Sequence, residues 1–244
     1  GKGHEKTQDI GKQKIYFSDR KIILESIKIK NLSLSKNIKL NLIKEVSGFK
    51  SLSSKILLGK ATINSKEVKK GDIFFAIKGI KNDGNKFVGQ SFKKKASVVI
   101  VNKFNKKYNT NRQVKVKNTL NFLTETAKIF RKNINTNIIA ITGSSGKTSL
   151  KELLGNSLRK ISKVSISPRS YNNKYGVPLS LFNINHNDNY GVLEVGMDKK
   201  GEIDYLSKII QPDVSVITNV SYAHAKNFKS IRHIALAKAE IIQN

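Results

Sequence analysis

From about residue 137 onward, short apolar runs alternate with stretches of helical period. The runs Ile138–Thr142, Lys163–Ser167, Gly191–Val195 and Val214–Thr218 read as strands, the first of them apolar. Between and after them, Thr148–Arg159, Gly176–Phe182, Glu202–Ile209 and the run Ile231–Ile242 read as helices. A strand–helix rhythm of this kind predicts a mostly parallel, doubly wound sheet that binds ligands at the carboxyl ends of its strands.

The upstream chain has a different texture. Leu40–Val46 reads as a helix stopped by Gly48, Gly71-Asp72 as a turn, Ile73–Ile77 and Ala96–Val101 as strands, Gly79 to Gly84 as a loop, and Thr119–Arg131 as a helix leading onward. Residues 1 to about 36 hold a strand-like Lys14–Phe17, then Asp19, which could cap a helix Arg20–Ile27. The polar stretch that follows reads as a linker. We expect an α/β protein in four parts: residues 1–27, a linker 28–37, a small α/β domain 38–117, and a doubly wound P-loop domain 118–244. The chain opens on Gly1 rather than Met and stops at Asn244 within a helical pattern. We therefore expect an excerpt of a longer polypeptide, with its last domain incomplete.

No apolar run approaches the roughly 18 residues that span a bilayer, and nothing reads as a signal peptide. Cysteine is absent, which excludes disulfides and thiolate metal sites and fits a cytoplasmic protein. Lys and Arg number 46 against 17 Asp and Glu, a net charge of +29. That excess could mark a nucleic-acid binder. The lysines are scattered, however, as in Lys93-Lys94-Lys95, Lys106-Lys107 and Lys199-Lys200, without a stripe or an aromatic RNA-binding signature. We read them as compositional drift toward Lys, Asn and Ile, and expect no specific nucleic-acid partner. A basic surface still attracts nucleotide phosphates in a salt-dependent way.

The sharpest motif is Gly143-Ser144-Ser145-Gly146-Lys147-Thr148-Ser149, placed after an apolar strand and before a helix. Glycines let such a backbone turn tightly and bring its N–H groups to phosphate oxygens, and the helix N-terminus adds partial positive charge. Lys147 can reach the β and γ phosphates, and the Thr148 hydroxyl can ligate Mg²⁺. Ile141 stands where a full Walker A motif has its first glycine, so the form present is the shorter Thr-Gly-x-x-Gly-Lys-Thr.

Downstream residues carry weaker signals. Glu194 ends a strand on the ligand side of a parallel sheet, where it could bind Mg²⁺ or simply face solvent. His224 could ligate a metal or orient a phosphate, or be a solvated loop histidine. Lys238 taken alone is a lysine on a helix face, and Asn172 and Asn173 taken alone are loop residues before a helix.

In chain order these residues resemble the Mur ligase family over most of residues 60 to 244. Thr142–Thr148 resembles its ATP loop. Asn172-Asn173-Lys174-Tyr175-Gly176-Val177-Pro178-Leu179, Glu194-Val195-Gly196-Met197 and Gly201-Glu202-Ile203 resemble segments of the branch that adds D-alanyl-D-alanine. Thr218-Asn219-Val220, Ala223-His224, Phe228-Lys229-Ser230 and Ala237–Ile241 continue the series. Upstream, Asn64–Val68, Gly71–Ala76, Lys78-Gly79 and Asn82-Asp83-Gly84 resemble the family's uridine-nucleotide-binding domain, with Asn64-Ser65-Lys66 where Asp-Ser-Arg is usual; Lys lacks the planar fork of Arg. Gly1–Glu5, Gln8 and Phe17–Arg20 resemble the end of the ligase that adds the preceding, diamino acid. This would make the whole a fused bifunctional ligase.

The resemblance implies an ATP- and Mg²⁺-dependent amide-forming ligase of peptidoglycan synthesis, joining a UDP-N-acetylmuramoyl tripeptide to D-alanyl-D-alanine through an acyl phosphate. Lys147, Glu194, His224 and Lys238 would be catalytic. Gly143 to Ser149, with Asn172 and Asn173, would hold ATP. Thr148, Glu194, His224 and a carbamylated Lys238 would serve Mg²⁺, and Ser65 and Lys66 the uridine nucleotide. A monomer is expected, and the excerpt alone should not ligate. The competing readings are a folate-polyglutamate-type ligase, which shares the ATP core, and a basic P-loop nucleic-acid-binding protein.

Overall fold

The computed structural model describes residues 7–10, 13–16, 38–49, 52–53, 55–79, 82–222 and 227–243. The expected helix Arg20–Ile27, its cap Asp19, the linker and His224 lie outside the described residues. Contacts divide the chain into residues 1–38 and 39–244. In the first unit β1 (Thr7–Ile10) pairs antiparallel with β2 (Gln13–Tyr16), a partner the reading of Lys14–Phe17 did not foresee.

The second unit holds two parallel sheets. The first has the order β3 (Ala61–Thr62), β4 (Ile73–Phe75), β5 (Val98–Val101), β6 (Gln113–Lys115). Helix α1 (Ile38–Ser47) precedes it and ends where Gly48 turns to φ +66°, as the sequence predicts. β5 starts two residues later than predicted, after Lys95 at φ +65°. One face buries Phe74, Val99 and Val101 against Val88 of α2 (Val88–Lys93) and the half-buried Phe92 and Tyr108.

The second sheet has the order β10 (Val214–Ile217), β7 (Asn137–Thr142), β9 (Tyr190–Glu194), β8 (Val164–Ile166), all parallel. Alternate residues of β7 serve opposite faces. Ile139 and Ile141 meet Leu150, Leu154 and Leu158 of α4 (Lys147–Arg159). The other face carries α5 (Gly176–Phe182) and α6 (Glu202–Ile210), and α3 (Thr119–Lys132) packs on both of these helices. This is the doubly wound arrangement that the strand–helix rhythm predicts. Phe182 of α5 lies 5.4 Å from Phe130 of α3 and 6.3 Å from Phe75 of β4, ring centre to ring centre, so one aromatic cluster joins both sheets. Asn183 adds a polar tie: its amide accepts from Ala61 N–H and donates to Ala61 O, both at 2.8 Å, as a paired strand would. No helix among the described residues is long and apolar enough to cross a membrane.

Candidate nucleotide and metal site

The chain leaves β7 toward β8 and β9 on one side and β10 on the other, so β7 sits where the winding reverses. Ligands of such sheets bind beyond the strand ends at that point. The Gly143–Ser149 loop leaves β7 there. Gly143 has φ +153°, and a Cβ on it would stand 1.8 Å from Thr218 Oγ1, so only glycine fits. Gly146, at φ +75°, turns the chain into α4. The first N–H groups of a helix have no intrahelical acceptor. Here Leu150 N–H closes the first turn on Gly146 O at 2.9 Å. The junction therefore offers donors and the positive end of a 13-residue helix to one cavity.

Two loop amides turn the other way. Ser144 N–H donates to Asn219 O at 3.1 Å and Ser145 N–H to Asn219 Oδ1 at 2.9 Å. Asn219 Nδ2 donates to Ser145 Oγ at 2.7 Å, and the Thr218 hydroxyl to Ser145 O at 2.6 Å. The segment after β10 thus grips the front half of the loop. Lys147 Nζ folds back onto Gly143 O at 2.8 Å.

Glu194 ends β9 opposite Ile141 of β7 and is 2% exposed. Its Oε2 accepts the Thr148 hydroxyl and its Oε1 the Asn172 amide, each at 2.7 Å. Asn172 is seated by its own backbone, whose carbonyl accepts Gly196 N–H at 2.7 Å; a Cβ on Gly196 would crowd Asn172 Cγ at 2.9 Å. Asn173 instead accepts the N–H groups of Tyr175 and Gly176 and opens α5. The Thr148 and Glu194 oxygens suit a hard cation. Their 2.7 Å separation is near the roughly 2.9 Å between neighbouring oxygens of an octahedral Mg²⁺ shell with metal–oxygen distances of about 2.0–2.1 Å.

Lys238 enters from α7 (Ile231–Ala239) and is 2% exposed. Burial first, and the Lys147 charge second, lower its pKa to about 8. Two residues on, the Glu240 carboxylate accepts the N–H groups of Gly201 and Asp204, fixing the end of α7 on the start of α6.

Gly143, Gly146, Lys147, Thr148, Ser149, Asn172, Asn173, Glu194 and Lys238 line one cavity of about 1140 Å³. Nine residues proposed from sequence thus converge. Ser144 and Ser145 are not in its lining, because Asn219 draws their amides away. Ser65 and Lys66 lie elsewhere: Ser65 is buried with its hydroxyl bonded to Gln90 Oε1 at 2.6 Å, and Lys66 is exposed. The sequence reading gives no role to Tyr175, Lys200 and Tyr205, which also line the cavity, or to Asn219. The position of Asn219 just past a strand end was the available signal.

Two family models match the chain: "Mur ligase family, catalytic domain" over residues 60–131 and "Mur ligase middle domain" over residues 141–244. A UDP-N-acetylmuramoyl-tripeptide–D-alanyl-D-alanine ligase of Buchnera aphidicola subsp. Acyrthosiphon pisum is 37% identical over 186 residues, 76% of this chain and 40% of that protein. The crystal structure of MurF from Acinetobacter baumannii matches with a TM-score of 0.72 at 32% identity, over 82% of this chain and 45% of that one. MurF ligase from Thermotoga maritima, solved in complex with ADP, matches with a TM-score of 0.66 at 34% identity, over 78% and 44%. The chain therefore spans less than half the length of these relatives. With two matched domains in chain order, a shared fold and a converged phosphate loop and carboxylate, the chain belongs to the Mur ligase family.

Proposed function

We propose that this chain is the nucleotide-binding part of an ATP-dependent ligase that adds D-alanyl-D-alanine to a UDP-N-acetylmuramoyl tripeptide. The observation that carries this reading is the bonding of Thr148, at the loop–helix junction, to the buried Glu194 beside Lys147. An ADP-bound relative of the same fold and the D-alanyl-D-alanine-adding relatives support it. Residues 118–244 would hold ATP and residues 38–117 the uridine nucleotide, with Ser65 and Lys66 on the latter. By the family resemblance, His224 would help bind Mg²⁺.

The reaction requires an anionic carboxylate to approach an anionic triphosphate. A substrate carboxylate oxygen forms a bond to the γ-phosphorus as the bond to ADP breaks. The dipeptide amine then attacks the acyl carbon, loses a proton, and inorganic phosphate leaves. Lys147 and the α4 N-terminus supply positive charge where negative charge accumulates. Thr148 and Glu194 would hold Mg²⁺, whose charge neutralises the phosphates when bound. Asn172 holds the Glu194 carboxylate in orientation. Near neutral pH the Lys238 amine is partly uncharged. In that form it can add to CO₂ and lose a proton, becoming an oxygen-bearing carbamate suited to Mg²⁺.

The test is ADP release by the full-length protein with two substrate pairs. UDP-N-acetylmuramoyl tripeptide with D-alanyl-D-alanine should drive turnover, and folate with glutamate should not. Turnover with the second pair alone would assign the site to a different ligase. Oligonucleotide binding unaffected by Lys147→Ala, without turnover, would make it a nucleic-acid-binding protein.

A further inference from the structure

We propose that Lys151 is a positioning residue that shapes the 167–172 loop and so delivers Asn172 to Glu194. The proposal deepens the reading above, because Asn172 and Glu194 form the metal side of that site.

Lys151 stands in the second turn of α4, among leucines that cover the sheet, and is fully buried. A buried ammonium is costly unless its donors are satisfied. Its Nζ donates to Ser167 O at 2.8 Å and Arg169 O at 2.5 Å and ion-pairs with Glu152 Oε1 at 3.2 Å. Both carbonyls belong to the loop that leaves β8, so helix α4 is pinned to that loop through one cation.

The second carbonyl marks what the pin holds. Arg169 adopts φ +47°, a left-handed conformation unfavourable for a residue with a Cβ. Its own side chain is 83% exposed and approaches Glu67 only to 3.9 Å, which is too weak to impose the turn. The grip on its carbonyl is the stronger constraint. The chain then closes through Tyr171 N–H to Pro168 O and Asn172 N–H to Ser170 O, and Asn172 arrives against Gly196 with its amide on Glu194. The other gripped residue, Ser167, accepts Glu194 N–H on its hydroxyl. Lys151 thus holds both ends of a path to Glu194 without lining the cavity itself.

Hydrogen–deuterium exchange on the full-length protein tests this directly. Lys151→Met keeps the stem and removes the donors. It should speed exchange at residues 169–173 and at Gly196 by about tenfold or more, with β7 and the body of β9 unchanged. Adding Arg169→Gly, which accepts φ +47° without strain, should restore most of the protection. In parallel, the Mg²⁺ concentration for half-maximal ADP release should rise in the single variant and recover in the double. Unchanged loop exchange, or faster exchange spread evenly through β7 and β9, would overturn the proposal. Should Lys151→Met fail to fold, Lys151→Gln retains a shorter, uncharged amide donor group; a smaller increase confined to the loop supports the proposal, and no increase counts against it. If the wild-type protein shows no MgATP-dependent turnover, the ligase reading fails while the exchange pattern still decides the role of Lys151.

Discussion

Glu194 combines burial with two hydrogen-bond donors, Thr148 and Asn172, that hold its oxygens toward one cavity. Replacing it with Gln keeps the shape and removes the charge. In the full-length protein, Glu194→Gln should raise the Mg²⁺ concentration needed for half-maximal ADP release by about ten- to hundredfold, as read from a Mg²⁺ titration of initial rate. Lys39 allows a separate test of residue electrostatics. It donates to Gly59 O and lies 5.3 Å above the Phe182 ring. Burial foremost, then the Lys60 charge, lower its pKa to about 8, against an opposing pull from Asp72. A lowered lysine pKa means that between about pH 8 and 10.5 the unfolded chain holds a proton the folded one has released, so stability from this group rises with pH across that window. Urea unfolding of wild type and Lys39→Met at pH 7.5 and pH 10 should therefore show the wild type gaining relative to the variant at the higher pH. Lys147 and Thr148 were legible from the sequence because their motif carries its own context. The role of Lys151 was not: a lysine inside an amphipathic helix reads as solvated until the path of the 167–172 loop is known.

Among elements, β7 and β9 could be read directly, because central parallel strands must be apolar on both faces. β3 and β6 could not. β3 is two residues long and completes its pairing with the side chain of Asn183, 122 residues away. β6 reads Gln113-Val114-Lys115, with the Gln113 side chain buried on the carbonyls of Asn105 and Tyr108, so its polarity hides its burial. Helix α5 was legible in its bounds but not in its use. It is buried along its whole length and carries Phe182 into the cluster that joins the two sheets. Phe182→Ala should cost about 3–5 kcal/mol of stability, measured by urea unfolding, with the loss felt by both sheets in one transition.

Across the whole molecule, the site is assembled from the carboxyl ends of four strands. β7 gives the phosphate loop, β8 leads to Asn172, β9 gives Glu194, and β10 leads to the Thr218-Asn219 grip on the loop. The order 10-7-9-8 brings these ends together, and the linear sequence carries the parts without that order. The net charge of +29 sets a background attraction for phosphates, whereas the proposed binding of a nucleoside triphosphate is local to one turn of backbone and one lysine. Calorimetric titration of MgATP into the full-length protein, with Lys147→Ala alongside, addresses that claim most directly. The wild type should bind saturably, and the variant with affinity lower by about ten- to hundredfold. Equal affinity in the two proteins, or no binding by the wild type, would contradict it.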